Sequence, residues 1–278
     1  MDTVAETAEP TPSSAPHAVI DEGFRRLQTA GETGVPCAPI RELIDETDVA
    51  SAYAIQEKLT AARLASGAVI VGRKIGLTNP AVQAQLGVDQ PDFGVLFDDM
   101  GYAEEQIVPM SRLIQPKAEA EIAFVLAEDL AEGPLDVAQV RAAVAYAQAA
   151  IEIVDSRIAD WNIKFADTVS DNASSGLYVL GAEKVSLDDF EPIAAEMSMT
   201  TNGVVVSTGA GSACLGDPLN ALSWLAQTAR EFGEPLRAGQ VILSGALGPM
   251  QSVPPGAVVT AEISGLGTVT ATFSEAGA

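Results

Sequence analysis

Histidine is almost missing from this chain: one residue, His17, stands near its start. A histidine-rich metal site is thereby excluded, and so is a Ser-His-Asp triad unless His17 itself supplies the base. Cysteine is scarce too. Cys37 and Cys214 show no ligand or redox spacing, so they are expected to be free thiols in a reducing compartment. Positive charge is short, with 15 Lys and Arg against 38 Asp and Glu and a net charge of −23. Such a field opposes nucleic acid and anionic membrane surfaces, which need basic patches. No run of about 18 apolar residues occurs, and no basic-then-apolar leader opens the sequence. The expectation is a soluble, cytoplasmic protein that binds neither nucleic acid nor membrane. If its ligand is an anion, local positive charge must come from lysine, arginine or a metal ion.

What is present is a chain of 278 residues, 47% of them apolar, long enough for a large core. It is organised around Gln115-Pro116-Lys117-Ala118-Glu119-Ala120-Glu121-Ile122-Ala123-Phe124-Val125-Leu126. Glu119 and Glu121 are two apart, so in a strand both face one way. Two carboxylates against a core repel each other unless a cation neutralises them. The alternative is a solvated strand face in a very acidic protein. A second signal comes from Glu152, alone in the apolar run Ala149-Ala150-Ile151-Glu152-Ile153-Val154. A buried glutamate needs a cation or a proton, and Asp155, Arg157 and Asp160 are its candidate network. Three carboxylates from two core strands suit magnesium or manganese.

Residues 1–16 are small, acidic and proline-bearing and are expected to be disordered. Apolar spacing predicts a helix over about 19–30 and another from an Asp48 cap to Gly67, which together make an N-terminal helical region, 17–68. Residues 69–78 read as a strand carrying Arg73 and Lys74 on opposite faces, one of which must turn inward and find an anion. A short helix at 80–87 and a loop at 90–94 holding Asp92 lead to a strand at 95–97. Further on, a helix is expected over 137–147 and a strand over 149–154. The stretch 167–176 reads as a polar loop without a core, its hydroxyls and amides free to bind a carboxylate or line an entrance. Strands are then expected at 178–180, 194–201, 204–208, 241–244, 258–263 and 267–273. Asn202-Gly203 is a hairpin turn, and one helix starts with Asp217-Pro218 and ends at Gly233. So many hairpins beside so few helices predict an α+β fold with a mixed, curled sheet or barrel in the main domain, 69–278. Ser244-Gly245-Ala246-Leu247-Gly248 at a strand end can open backbone amides to an anion.

Six stretches together carry a resemblance: Gly72-Arg73-Lys74-Ile75-Gly76-Leu77-Thr78, Gln90-Pro91-Asp92-Phe93-Gly94, Pro116 to Phe124, Ala150 to Arg157, Asp171-Asn172-Ala173-Ser174-Ser175 and Ser244 to Gly248. In their order and spacing the chain resembles the 2-keto-4-pentenoate hydratases of the fumarylacetoacetate hydrolase superfamily, from about residue 20 to 274. The resemblance implies that superfamily's rolled β structure with outer helices and an N-terminal helical cap. It implies that Glu119, Glu121 and Glu152 bind Mg2+ or Mn2+, that Lys74 and Asp92 are catalytic, and that Ser174, Ser244, Gly245 and Leu247 hold the substrate carboxylate. It also implies a homo-oligomer, since similar members assemble as pentamers or decamers, and association with pathway enzymes. The expected reaction is hydration of 2-hydroxypenta-2,4-dienoate, or a close alkyl homologue, to 4-hydroxy-2-oxopentanoate in meta-cleavage degradation of aromatic compounds. Burial beside the metal is expected to lower the Lys74 pKa. The nearest alternative is decarboxylation of a 2-oxo-3-enedioate on the same platform. Acylpyruvate hydrolysis is disfavoured by the missing water-activating histidine, and a non-catalytic partner subunit is a further alternative.

Overall fold

A computed structural model describes residues 15–79, 83 and 90–276. The stretch 1–14, expected to be disordered, lies outside the described residues, as does the expected helix at 80–87 apart from Gln83. Two helices open the described chain. Helix α1 (His17–Thr33) buries Ile20, Leu27 and Ala30 and ends at Gly34 in the left-handed region. Helix α2 (Val49–Ala65) is capped by Asp48, whose side chain accepts from the Ser51 N–H, as its spacing predicts. Unlike an ordinary surface helix, α2 buries polar Gln56 beside Tyr53 and Ile55. Among the described residues no helix is long and apolar enough to cross a membrane.

The strands form two mixed sheets. The larger contains β1 (Ile70–Gly76), β2 (Asp92–Phe97), β3 (Gly101–Ala103), β5 (Lys117–Leu126), β6 (Val144–Val154), β7 (Ser175–Leu180), β10 (Val241–Ala246) and the short β11 (Gln251–Ser252). Its order is β2-β1-β10-β5-β6-β7-β3, with β11 beside β5. The pairs β1/β10 and β3/β7 are parallel and the others antiparallel. The smaller sheet has the order β4 (Ile107–Val108), β13 (Gly267–Phe273), β12 (Val258–Ile263), β8 (Glu196–Thr201) and β9 (Val204–Ala210). Asn202 and Gly203, both at positive φ, join β8 to β9 as the dipeptide requires. The α+β reading with a mixed, curled sheet holds; among the described residues neither sheet closes into a barrel. Helices α3 (Val137–Ala143), α4 (Phe165–Ser170) and α5 (Pro218–Glu231) complete the fold. Asp217 caps α5 by accepting from the Leu219 N–H at 2.9 Å.

Three local expectations are corrected. The helix expected to run to 147 stops at Ala143, because β6 begins at Val144. Ten-residue β5 demands a partner of its own length, and Tyr146 and Val144 pair with Val125 and Leu126. Cross-strand pairing outweighs the helical spacing of that stretch. Asp92 lies not in a loop but at the first position of β2, opposite Gly76. The stretch 167–176 is not a coreless polar loop: it forms α4, a short 3₁₀ turn and the start of β7, and most of it is buried. Its acids are buried because each has a cation from outside the stretch. Asp167 pairs with Arg41 and Asp171 with Arg157.

Candidate active site

Five neighbouring strands, β2-β1-β10-β5-β6, carry Asp92, Lys74, Ser244, the Glu119/Glu121 pair and Glu152 in that order. Period two puts Glu119 and Glu121 on one face of β5, and Glu152 is the direct cross-strand partner of Glu119, so it shares that face. One carboxylate oxygen from each of the three lies within 4.8 Å of the others. Glu121 and Glu152 are buried and Glu119 is partly exposed.

The donor set fits a hard divalent cation. Glu121 Oε1 and Glu152 Oε2 are buried without a hydrogen-bond partner, a costly state that an ion relieves. All three ligands are carboxylates, the chemistry that Mg2+ and Mn2+ take. Burial, reinforced by the neighbouring carboxylates, pushes Glu119 up to about 7 and Glu121 well above the ordinary carboxylate range. Burial likewise raises Glu152, against the pull of Lys74. Glu119 therefore holds a proton below about pH 7, and a cation must displace it. On account of Glu119 alone, affinity for Mn2+ should rise by up to about tenfold per pH unit below pH 7. Calorimetric titrations between pH 5.5 and 8 in buffers of different ionisation enthalpy would read both trend and proton release; a flat profile would contradict it.

Lys74 reaches this cluster from β1. Its Nζ donates to the Ala173 carbonyl at 2.9 Å and lies 3.2 Å from Glu152 Oε1. Burial alone pulls its pKa down, but Glu152, Asp92, Glu119 and Glu121 outweigh it and hold it above the ordinary lysine value. The expected lowering concerns the site with its cation bound; with the glutamates bare, their charge holds the lysine up. Arg73, on the opposite face, is buried as well, not exposed as simple alternation suggests; its guanidinium lies 5.8 Å from the Phe93 ring centroid.

Asp92 packs against the bare backbone of Gly76, where a Cβ would fall 2.2 Å from its Oδ1. Its Oδ2 accepts from Thr168 Oγ1 at 3.1 Å, and Oδ1 is buried without a partner. Burial raises its pKa, against Lys74 and Thr168, which lower it.

Ser174 and Ser244 are buried, and the Oγ of each has no partner. Two backbone amides expected to be open to an anion are already engaged. The Gly245 N–H donates to Glu121 Oε2 at 2.9 Å, and the Leu247 N–H to the Ala120 carbonyl at 3.0 Å. The reason is a break in the β10/β5 register between Leu243 and Ala246, with Gly245 at φ 108°. This bulge turns the Gly245 amide out of the ladder and onto a carboxylate.

Asp155 and Arg157, read as partners for Glu152, serve other groups. Asp155 accepts from the Ile114 and Gln115 amides, and Arg157 pairs with Asp171. Asp160 sits at φ 58° in a 3₁₀ turn. Sequence reasoning missed the Ala173 carbonyl. Asn172, Ala173 and Ser174 all stand at positive φ, a turn costing about 1–2 kcal/mol per non-glycine residue. Asn tolerates that region; nothing in Ala or Ser announces it. A separate cavity of about 440 Å³, bordered by Leu27, Leu59, Arg63, Phe97, Arg112 and Leu177, does not include the acidic cluster.

Residues 69–274 match the family of the fumarylacetoacetate (FAA) hydrolase C-terminal domain. The chain belongs to that family. Within its range fall all the site residues above. The 2-keto-4-pentenoate hydratase of Paraburkholderia phymatum is 53% identical over 256 residues, covering 92% of this chain and 98% of its own. The 2-hydroxyhexa-2,4-dienoate hydratase of Comamonas testosteroni is 42% identical over 258 residues, with coverages of 92% and 98%. Among solved structures, the 4-oxalocrotonate decarboxylase of Pseudomonas putida G7, complexed with magnesium and adipate, matches this member of the FAA hydrolase family with a TM-score of 0.89 at 33% identity. That match covers 95% of this chain and 100% of the other.

Proposed function

We propose that this chain is a hydro-lyase that adds water to 2-hydroxypenta-2,4-dienoate, or a close alkyl homologue, giving 4-hydroxy-2-oxopentanoate in the meta-cleavage breakdown of aromatic compounds. The observation that carries the reading is the convergence of Glu119, Glu121 and Glu152 beside a buried, charged Lys74, in a chain 53% identical to a 2-keto-4-pentenoate hydratase. Mg2+ or Mn2+ on the three glutamates supplies Lewis-acid polarisation of a 2-oxo acid.

The chain's own residues do the proton work. The reaction moves the C2 hydroxyl proton off and a proton onto C5, then adds water oxygen at C4 and a proton at C3. Lys74, held between the Ala173 carbonyl and Glu152 Oε1, hydrogen-bonds the C2 oxygen and steadies the negative charge that builds there. Asp92 has one carboxylate oxygen free and takes the proton of the water that adds at C4. The unpaired hydroxyls of Ser174 and Ser244 bind the substrate carboxylate, with Gly245 and Leu247 shaping that wall through their backbone rather than through free amides.

The decarboxylase among the structural relatives keeps a second reading in view. An enedioate brings a second carboxylate that needs its own cation, and Lys74 already answers Glu152 while Arg73 faces away. Incubation with the dienoate and with 2-oxo-3-hexenedioate separates the two. Gain of one water from the dienoate, lost on adding chelator and restored by Mg2+ or Mn2+, is the expected result. Faster release of carbon dioxide from the enedioate would reverse the assignment.

We further read 17–68 as a helical region packed on a catalytic domain, 69–278, within one unit; the Gln56 side chain in α2 reaches into the larger sheet. Free Cys37 and Cys214 support a cytoplasmic setting. Exposed Val204, Val205 and Val258 on the smaller sheet support a homo-oligomer, with a pentamer or decamer and contacts to pathway enzymes as the forms the resemblance suggests.

A further inference from the structure

The family match begins at residue 69, so helix α2 lies outside it. Yet α2 sends one buried side chain to the site. Gln56, 4% exposed, donates both protons of its amide nitrogen to backbone carbonyls. One is Phe93 O at 3.0 Å, the other Val169 O at 2.9 Å. Phe93 follows Asp92 in β2, and Val169 follows Thr168 in α4. Those two preceding residues are themselves joined by the Thr168 Oγ1 to Asp92 Oδ2 hydrogen bond at 3.1 Å. A single amide thus ties together the backbones on both sides of that bond. The α4 end of the clamp is fixed in turn by buried Asp167, which accepts from the Arg41 backbone N–H at 2.9 Å and pairs with the Arg41 guanidinium.

A carboxylate with one oxygen pinned presents the other in a fixed direction. Here the pinned oxygen is Oδ2, and Oδ1 is the one left without a partner. Tyr53, one turn before Gln56, stacks on Phe93 with ring centroids 4.9 Å apart and limits sliding of β2 against α2.

We propose that Gln56 and Thr168 are positioning residues for Asp92, and that helix α2 thereby sets the aim of the catalytic carboxylate. This rests on the reading of Asp92 as a proton acceptor in the hydration. Thr168 acts directly on the carboxylate; Gln56 acts through the two backbones. Neither needs to touch substrate, so both should affect turnover more than binding.

The test uses the full chain with saturating Mg2+ and 2-hydroxypenta-2,4-dienoate, reading kcat and KM separately. Thr168→Val keeps the shape and removes the donor; kcat should fall roughly 10- to 100-fold, with KM changed less than about threefold. Thr168→Ser restores the donor and should recover most of the rate, which a purely packing role would not allow. Gln56→Met should lower kcat by roughly 5- to 20-fold. In an Asp92→Asn background neither change should lower the residual rate further, because both work through the carboxylate. Three results would overturn the proposal: Thr168→Val at wild-type kcat, no recovery by Thr168→Ser, or full additivity with Asp92→Asn. If Asp92→Asn itself turns over like wild type, the reading of Asp92 fails and the proposal goes with it. If Asp92→Asn is crippled while Thr168→Val is not, the positioning role alone fails. Should Thr168→Val not fold, the Gln56→Met comparison in the two backgrounds decides.

Discussion

Glu121→Gln is expected to do two opposite things: abolish divalent-cation binding and activity, and raise the melting temperature of the protein measured with chelator. Glu121 is fully buried, one of its oxygens has no partner, and burial together with Glu152 and Glu119 raises its pKa well above the ordinary 4.5. An acid whose folded pKa is raised costs stability above its unfolded pKa, because the unfolded chain releases the proton more readily. Replacing it with an uncharged amide removes that cost, worth on the order of 1–3 kcal/mol by analogy with other buried ionic groups. The gain should be present at pH 7 and vanish as pH falls through about 4.5, where wild-type Glu121 is protonated in both states. With Mg2+ or Mn2+ added, the order reverses, since only wild type gains the linkage term from a bound ion. Thermal melts of both proteins at pH 4.5 and 7, with chelator and with Mn2+, supply the comparison. A variant that still shifts with Mn2+, or is less stable than wild type in chelator, would remove Glu121 from the metal site.

The same residue shows what could be read from the sequence and what could not. Period two alone put Glu119 and Glu121 on one face, and the lone acid in 149–154 marked Glu152. Their meeting depends on the β5/β6 register, which pairs Glu119 with Glu152. No local pattern fixes that register, because α3 and its flanking turns separate the strands. The stretch 167–176 misled for the opposite reason. Its polarity reads as exposure, yet its acids are buried by ion pairs to Arg41 and Arg157, and the Arg41 partner lies far off in sequence. Gln56 was visible as a polar residue on the helical stripe with Tyr53 and Leu59. Nothing nearby said that its amide would join β2 to α4. Local chemistry was legible; pairings between distant elements were not.

Lys74→Met should lower kcat by about a thousandfold or more, toward the upper end of what one positioned proton donor or charge supplies. The reason lies in how the ammonium is held. Its Nζ is 2.9 Å from Ala173 O and 3.2 Å from Glu152 Oε1, so it is a fixed positive charge, not a mobile surface lysine. Methionine fills similar volume and removes that charge. Glu152 then loses its ion-pair partner in a buried site, at a cost of about 3–5 kcal/mol where no other cation is present. A bound divalent ion offsets much of that loss. The variant should therefore melt well below wild type in chelator and close to it in saturating Mn2+, while staying inactive in both. Lys74→Arg should not restore turnover: Nζ sits as a point charge between Ala173 O and Glu152 Oε1 in a buried site, a position that a longer, planar guanidinium does not reproduce. The split between recovered fold and unrecovered rate separates a catalytic lysine from a structural one. Turnover within tenfold of wild type for Lys74→Met, at full metal occupancy, would leave the ammonium a counter-ion to Glu152 and nothing more.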